Sequence, residues 1–571
     1  MFKLYKKYLK YYKKEVILGP MFKLIEAIFE LIVPLIMASI IDKGVKNLDS
    51  VYVWKMGGIL VLAAAIGLCS TLVCQYFACQ ASQGVGTRLR NDLYEHINSL
   101  SFKEIDEFKI SSLMTRMTND INQVQTSVAM LIRLVVRAPF IVIGATFMSF
   151  FISKSLSIIF LTTGLLIFGL IFLIMMINIP KNKKVQGDLD NLTTITKENL
   201  SGARVVRAFS KEIYEENRFD SSSNDLKRDS IRVGRISALL NPIISIIVNG
   251  AIVLILYFGS FRVNSGVISQ GDMTALANYM NQILVAIVVV ANLVVIFTKA
   301  SASASRINEV FAASSSIKNG SLTSGYAMEK IVFDNVSFAY NEDANNALEN
   351  ASFKILEGQT IGIIGSTGCG KSTIIRLLDR FYDPNKGNIY FNGNNLKDYD
   401  LTYLHSRIIP VLQKSSLIFG TIRDNICFGE KFSDDEIIEA LKNAQAYDFV
   451  MRQPDGLDTI VLEGGKNFSG GEKQRLSIAR ALVRKPEVLI LDDSSSALDY
   501  KTDFELRKAI RGLNKTLTII IISARVTSIK NSDAIIAIDD AKIVGIGKHE
   551  ELLKTSSVYK DIYVSQEGGN N

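Results

Sequence analysis

Gly365-Ser366-Thr367-Gly368-Cys369-Gly370-Lys371-Ser372, followed by Thr373, is the stretch from which the rest of the chain can be ordered. It follows an apolar, β-branched run at 360–364 and opens a helical pattern at 373–378. That strand–loop–helix context marks a phosphate-binding loop. The glycines let backbone N–H groups turn inward around phosphate oxygens. Lys371 adds a point charge, and Ser372 offers its hydroxyl to Mg²⁺. From residue 331 onward short β-branched runs alternate with helical patterns, which predicts a parallel α/β sheet. A second strand, Val488-Leu489-Ile490-Leu491, ends in Asp492-Asp493. A carboxylate at the end of such a strand is placed to hold Mg²⁺.

The N-terminal half is different in kind. Of the 571 residues 48% are hydrophobic, and the long apolar runs fall in the first 300. A bilayer core takes about 20 apolar residues per helical crossing. Six stretches reach that length, near 17–41, 55–82, 128–152, 155–179, 238–261 and 273–298. The domain plan is an interfacial segment at 1–15, a six-helix membrane domain at 16–300, a small, polar linker at 301–330 and a nucleotide-binding domain at 331–571. Net charge is +8, but the basic residues flank apolar runs, so the positive-inside bias explains them and nucleic acid is not expected as a partner. Arg88, Arg90, Arg116, Lys181, Lys183, Lys184, Arg204 and Arg207 put the long connections 83–127 and 180–237, and both termini, in the cytoplasm. These connections predict helices running below the bilayer and turning at 101–108 and 208–217. The N-terminal lysines and tyrosines predict a segment at the lipid surface. A composition rich in Lys, Ile and Asn points to a bacterial plasma membrane. The five cysteines and three histidines form no metal-site spacing.

Several polar residues lie within the spans. Glu26 and Glu30 are four apart, on one helix face. Asn281 and Gln282 sit in the sixth stretch. Intramembrane ionisable groups are costly and face a bundle interior or a water-filled path. Glu30, Asn281 and Gln282 are therefore the candidate contacts to a cationic or amphipathic substrate. Interhelical hydrogen bonding is the competing role.

Between the two nucleotide motifs stands Asn467-Phe468-Ser469-Gly470-Gly471-Glu472-Lys473-Gln474-Arg475. This segment resembles the signature of ATP-binding cassette (ABC) proteins, and the other motifs of that family occur in order. Tyr340 resembles the aromatic residue that stacks on adenine, and Gln413 resembles the glutamine that senses Mg²⁺. Ser496-Ala497-Leu498-Asp499 resembles the D-loop, and Arg204-Val205-Val206-Arg207-Ala208-Phe209 a coupling region of the exporters. The resemblance covers nearly the whole chain. It implies an exporter: an all-α six-helix transmembrane domain joined to an α/β P-loop NTPase domain, with ATP and Mg²⁺ as cofactors. Residues 365–373 with Tyr340, Gln413 and Asp492 would bind ATP. Ser372, Gln413 and Asp492 would hold Mg²⁺. Ser469, Gly470, Gly471 and Glu472 would face the ATP of a partner.

The chain departs from the pattern at two positions. Asp493 stands where the family has a catalytic Glu, and Ala524 where it has a His. Asp falls about 1 Å short of the attacking water, and a misplacement of that order costs roughly a hundredfold. Ala offers no hydrogen bond. Glu472, in place of the usual Gln, adds a carboxylate to the signature. The expectation is the degenerate half of a heterodimeric multidrug-type exporter. Its own site would hold ATP, and its signature would complete the site of a competent half-transporter. A homodimeric lipid or peptide exporter with slow hydrolysis, and a membrane regulator that only senses ATP, are the alternatives.

Overall fold

The computed structural model describes residues 1–341, 345–494 and 496–567. They form two compact units: Met1–Asn98 with Lys109–Ala313, and Ser99–Phe108 with Ser314–Asn571.

The first unit holds six apolar helices among the described residues: Phe2–Val45, Ser50–Ser99, Ile110–Ile152, Ser157–Ser201, Glu212–Asn264 and Gln270–Ala312. At 1.5 Å per residue a helix of this length runs for about 65 Å or more, twice the roughly 30 Å of a bilayer core. The crossings therefore continue as helix well outside the hydrocarbon. Their packing uses small residues where backbones meet. A Cβ on Gly271 would lie 2.3 Å from the Ala38 carbonyl oxygen, and the Gly271 N–H donates to Asp42 at 2.9 Å. Ser269 and Asp272 close a capping box at the start of the sixth helix.

Two local expectations need correction. Residues 301–312 continue the sixth helix, because the small side chains of Ala300, Ser303 and Ala304, with Ile307 and Val310, form a buried stripe. The linker begins only after Ala312. The second cytoplasmic turn is the helix Ala203–Ala208, not 208–217: the fourth long helix stops at Gly202, Ser210 takes a left-handed φ of 49°, and the next helix opens at Glu212. In the N-terminal segment Tyr5 and Tyr8 pack on protein, while Tyr11 is exposed. Leu4, Tyr5 and Tyr8 are buried, the Tyr5 hydroxyl meets Ser127, and Tyr8 donates to Asp92 at 2.7 Å. The first turn falls where the sequence places it, as the helix Phe102–Phe108.

The second unit is built on a six-stranded sheet. Its spatial order is Lys542–Gly547, Ala534–Asp539, Thr360–Gly365, Thr518–Ile522, Val488–Asp492 and Ile408–Val411. All neighbours pair parallel except the first two. Every residue of Thr360–Gly365 and of Thr518–Ile522 is buried, as strands covered on both faces require. A four-stranded antiparallel sheet, led by Glu329–Phe338, packs beside it through Phe333, Phe353 and Phe391.

Candidate nucleotide site

Strand Thr360–Gly365 ends between two parallel neighbours, so the loop after it emerges at the carboxyl edge of the sheet, where α/β folds bind ligands. Gly368 and Gly370 turn this loop with φ of 86° and 108°. A Cβ on Gly370 would meet the Ala347 carbonyl oxygen at 2.3 Å, so only glycine fits there. The helix Lys371–Leu378 then starts with its free N–H groups toward the loop. Lys371 Nζ is held over the loop by the carbonyls of Gly365 at 2.9 Å and Ser366 at 2.7 Å.

A cleft of about 400 Å³ follows. Its walls bring together Tyr340, Thr367, Gly368, Gly370, Lys371, Ser372, Thr373, Gln413, Asp492, Asp493 and Ala524, residues spread over 185 positions of sequence. Tyr340 shares a hydrogen bond of 3.1 Å with Thr373 Oγ1 and carries the Arg376 guanidinium 5.4 Å from its ring centre. Cys369 is not a wall residue. It is buried beneath the loop, and Ser366 turns away toward Asp539 at 3.4 Å.

Electrostatics at the far end of the cleft are set by the two adjacent acids. Burial and then the neighbouring Asp493 charge push the Asp492 carboxyl up to about 6, against the pull of Lys371 and Arg376. A divalent cation here would relieve that repulsion, and Ser372, Gln413 and Asp492 supply the hard oxygen donors it takes. Asp493 has a left-handed φ of 44°, donates its N–H to the Ile522 carbonyl at 2.8 Å, and accepts a hydrogen bond from Gln413 Nε2 at 3.1 Å. Ala524 shows only a methyl group to the cleft. Its carbonyl accepts from Gln566 Nε2 at 2.7 Å, and Gln566 Oε1 accepts from the Val526 N–H at 2.8 Å. One side chain of the last helix thus clamps the loop that carries Ala524. Nothing in the sequence near residue 524 signals it.

The remaining candidates lie elsewhere. Ser469 caps the helix Gly470–Leu482 in a box with Glu472: the Glu472 carboxylate takes both the N–H and the hydroxyl of Ser469 at 2.8 Å. Gly471 has no room for a side chain, since a Cβ would lie 2.9 Å from the Ala497 carbonyl oxygen. Asp499 caps the helix Tyr500–Leu513 through Thr502. None of these lines the cleft. In the helical unit Glu30 accepts from Arg137 at 2.7 Å, and Arg137 also reaches Glu26, which pairs with Lys23. Gln282 Nε2 donates to the Glu30 carbonyl at 3.0 Å, while Asn281 is exposed. The sequence reading missed Arg137, the group that neutralises Glu30.

Comparison with known proteins supplies the context for this geometry. Residues 16–288 match the ABC transporter transmembrane region and residues 348–496 a second family described as ABC transporter. An uncharacterized ABC transporter ATP-binding protein of Bacillus subtilis, YfiB, is 35% identical over 95% of each chain. An ATP-dependent lipid A-core flippase of Wigglesworthia glossinidia brevipalpis is 31% identical over 97% of this chain and 95% of the flippase. A solved bacterial Atm1-family ABC exporter with ATP bound has the same fold, with a TM-score of 0.79 over 97% of this chain and 98% of that one, at 23% identity.

Proposed function

The chain belongs to the ABC transporter family, as a multi-pass membrane half-transporter of the exporter fold, and from this we propose that it exports amphipathic compounds as the non-hydrolysing half of a heterodimer. The observation that carries the reading is the composition of the cleft's far end. Every group that grips a nucleotide is present, while the two that act on water are replaced by Asp493 and Ala524. The Asp493 carboxylate is a methylene short, and Gln413 engages it. No side chain at 524 can reach a γ-phosphate.

In this proposal ATP stacks on Tyr340, and its phosphates lie in the loop 365–373. Ser372, Gln413 and Asp492 would hold Mg²⁺, which would supply charge neutralisation at the phosphates. Ser469, Gly470 and Gly471 of this chain cap the ATP of the partner, whose own Glu and His drive hydrolysis. ATP at both sites joins the nucleotide domains, and hydrolysis at the partner's site alone releases them. The held ATP biases the inward–outward equilibrium without being consumed. A second chain is also supported by the turn helix Ala203–Ala208, which buries none of its own residues and leaves Val205 and the adjoining Phe209 exposed.

The substrate class follows from the helical unit. Glu30 is already paired with Arg137, so an unbalanced acid does not select for lipophilic cations. The apolar hollow between the third and sixth helices, about 900 Å³ and lined by Leu131, Val135, Pro139, Leu293 and Phe297, suits a bulky apolar body. The flippases among the relatives favour a lipid-like amphiphile.

The test is ATP hydrolysis by this chain alone and with its co-expressed partner half-transporter. Negligible turnover alone and robust turnover in the pair, insensitive to Asp493→Asn, is the expected result. Comparable turnover by the chain alone makes Asp493 a working base and the protein a homodimer.

A further inference from the structure

The helix Gly470–Leu482 begins with a negative charge of its own. Glu472 is its third residue, and the Glu472 carboxylate accepts from both the N–H and the hydroxyl of Ser469 at 2.8 Å. The Ser469 oxygen in turn accepts from the Glu472 N–H at 3.3 Å. The one hydroxyl proton of Ser469 is thus committed inside the box. The N–H groups of Gly470 and Gly471, in the first turn, have no carbonyl of the helix to bond. Ser469 and Gly470 are exposed, so this end of the helix is open to an incoming group. A carboxylate is stable here because the start of a helix carries partial positive charge. That same charge is what a phosphate would use.

Glu472 forms no ion pair among the described residues. Arg475, three residues on, turns instead to the carbonyls of Gln445 at 2.7 Å and Gly471 at 3.4 Å, and lies 4.6 Å from the ring centre of Phe449. The carboxylate therefore keeps its full charge beside the first turn. A Gln at this position would close the same backbone bond with a neutral oxygen. Ser469 could then turn its hydroxyl to a phosphate by giving up a neutral hydrogen bond. With Glu the bond given up is charge-assisted and roughly twice as strong. The freed carboxylate is then left as a like charge next to the phosphate.

We propose that Glu472 is an internal competitor of the partner's γ-phosphate: it holds the Ser469 hydroxyl and the positive end of the helix, and so raises the ATP concentration at which this signature closes. The proposal rests on the reading that residues 469–471 cap the ATP of a partner. Ser469 is the group that would touch the phosphate, and Glu472 is a positioning residue that acts through it. This chain then restrains the pair at both sites. Its own cleft holds ATP without cleaving it, and its signature sets how much ATP the partner's site needs.

The experiment is the ATP dependence of hydrolysis by the full-length chain with its partner half-transporter in lipid nanodiscs, with Mg-ATP as the probe. Glu472→Gln is expected to lower the half-saturating ATP concentration about tenfold, the factor one hydrogen bond of ordinary strength supplies, with a much smaller change in maximal rate. Glu472→Asp keeps the carboxylate, and Asp closes the same kind of box in this chain at Ser269 with Asp272 and at Thr421 with Asp424. Its half-saturating concentration therefore stays high. A merely structural cap would lower the melting temperature of Glu472→Gln and leave its half-saturating concentration where it was. An unchanged or raised half-saturating concentration in Glu472→Gln, or an equal fall in Glu472→Asp, overturns the proposal. If the pair turns over no faster than this chain alone, the heterodimer reading and this inference fall together, whereas partner-dependent turnover that Glu472→Gln leaves unaltered removes the inference alone.

Discussion

Gln413 and Asp493, 80 residues apart, meet at 3.1 Å across the mouth of the cleft, amide to carboxylate. In the family pattern the residue at 493 is a catalytic Glu and Gln413 attends Mg²⁺. Here the shortened acid and the glutamine satisfy each other. Lengthening the acid and restoring the missing histidine should revive chemistry at this site. Asp493→Glu with Ala524→His is expected to raise turnover at this chain's own site by roughly a hundredfold, the scale of a 1 Å misplacement recovered. Single-turnover hydrolysis, with the partner's catalytic Glu changed to Gln, reads it directly.

The raised Asp492 carboxyl has a pH signature. Its folded pKa of about 6 lies above the ordinary 3.8, so the folded chain holds an extra proton between those values. Without nucleotide, stability therefore rises as pH falls through 6 and is lost again above it. Asp492→Asn should raise thermal stability at pH 7.5 by about 1 to 2 kcal/mol, after discounting for solvent screening, and by almost nothing at pH 4. Mg²⁺-dependent ATP binding should weaken below pH 6. Thermal melts and binding titrations across pH 4 to 8 check both.

Gly370→Ala places a Cβ 2.3 Å from the Ala347 carbonyl oxygen at a φ of 108°. The strain should cost about 1 to 3 kcal/mol and splay the loop. ATP binding is expected to fall below detection while the helical unit still folds, as read by fluorescent-nucleotide titration beside a tryptophan melt of Trp54.

Arg137→Ala leaves Glu30 without its 2.7 Å partner and Glu26 with Lys23 alone. The Glu30 side chain is partly exposed, so solvent offsets some of the loss, and the unpaired carboxylate costs about 1 to 2 kcal/mol. Expression and detergent-melt stability should fall, and Glu30→Gln in the same chain should restore most of the loss.

Gln566→Ala frees both backbone contacts of the loop at 524–526. Two neutral hydrogen bonds amount to about 1 to 2 kcal/mol. Nucleotide release from this chain's own site should quicken several-fold with little change in melting temperature, measured by stopped-flow displacement.

What could be read in advance divides along the chain's own geometry. The loop 365–373 was legible because strand, glycines, lysine and helix are contiguous, and the six crossings because each is one unbroken apolar run. Asp492 was legible from its place at the end of an apolar strand, whereas the wall residues Tyr340 and Gln413 became legible only through family resemblance. Long-range partnerships were not. Arg137 is 107 positions from Glu30 and Gln566 is 42 from Ala524, and neither carries a local pattern. The second turn was displaced because its helix, Ala203–Ala208, is too short for periodicity to locate, and the left-handed Ser210 lies just beyond it.

The partition of the chain also bears on how it can be dissected. The polypeptide passes from one unit to the other after Asn98, after Phe108 and after Ala313. An expressed fragment that began at Ser314 would lack one of its own helices and would present Phe381 and Tyr382 to water without Phe102 and Asp106, their covers. Its solubility and melting behaviour would describe an incomplete body. Supplying residues 99–108 as a free peptide should repair that fragment, which makes the two pieces a natural split pair.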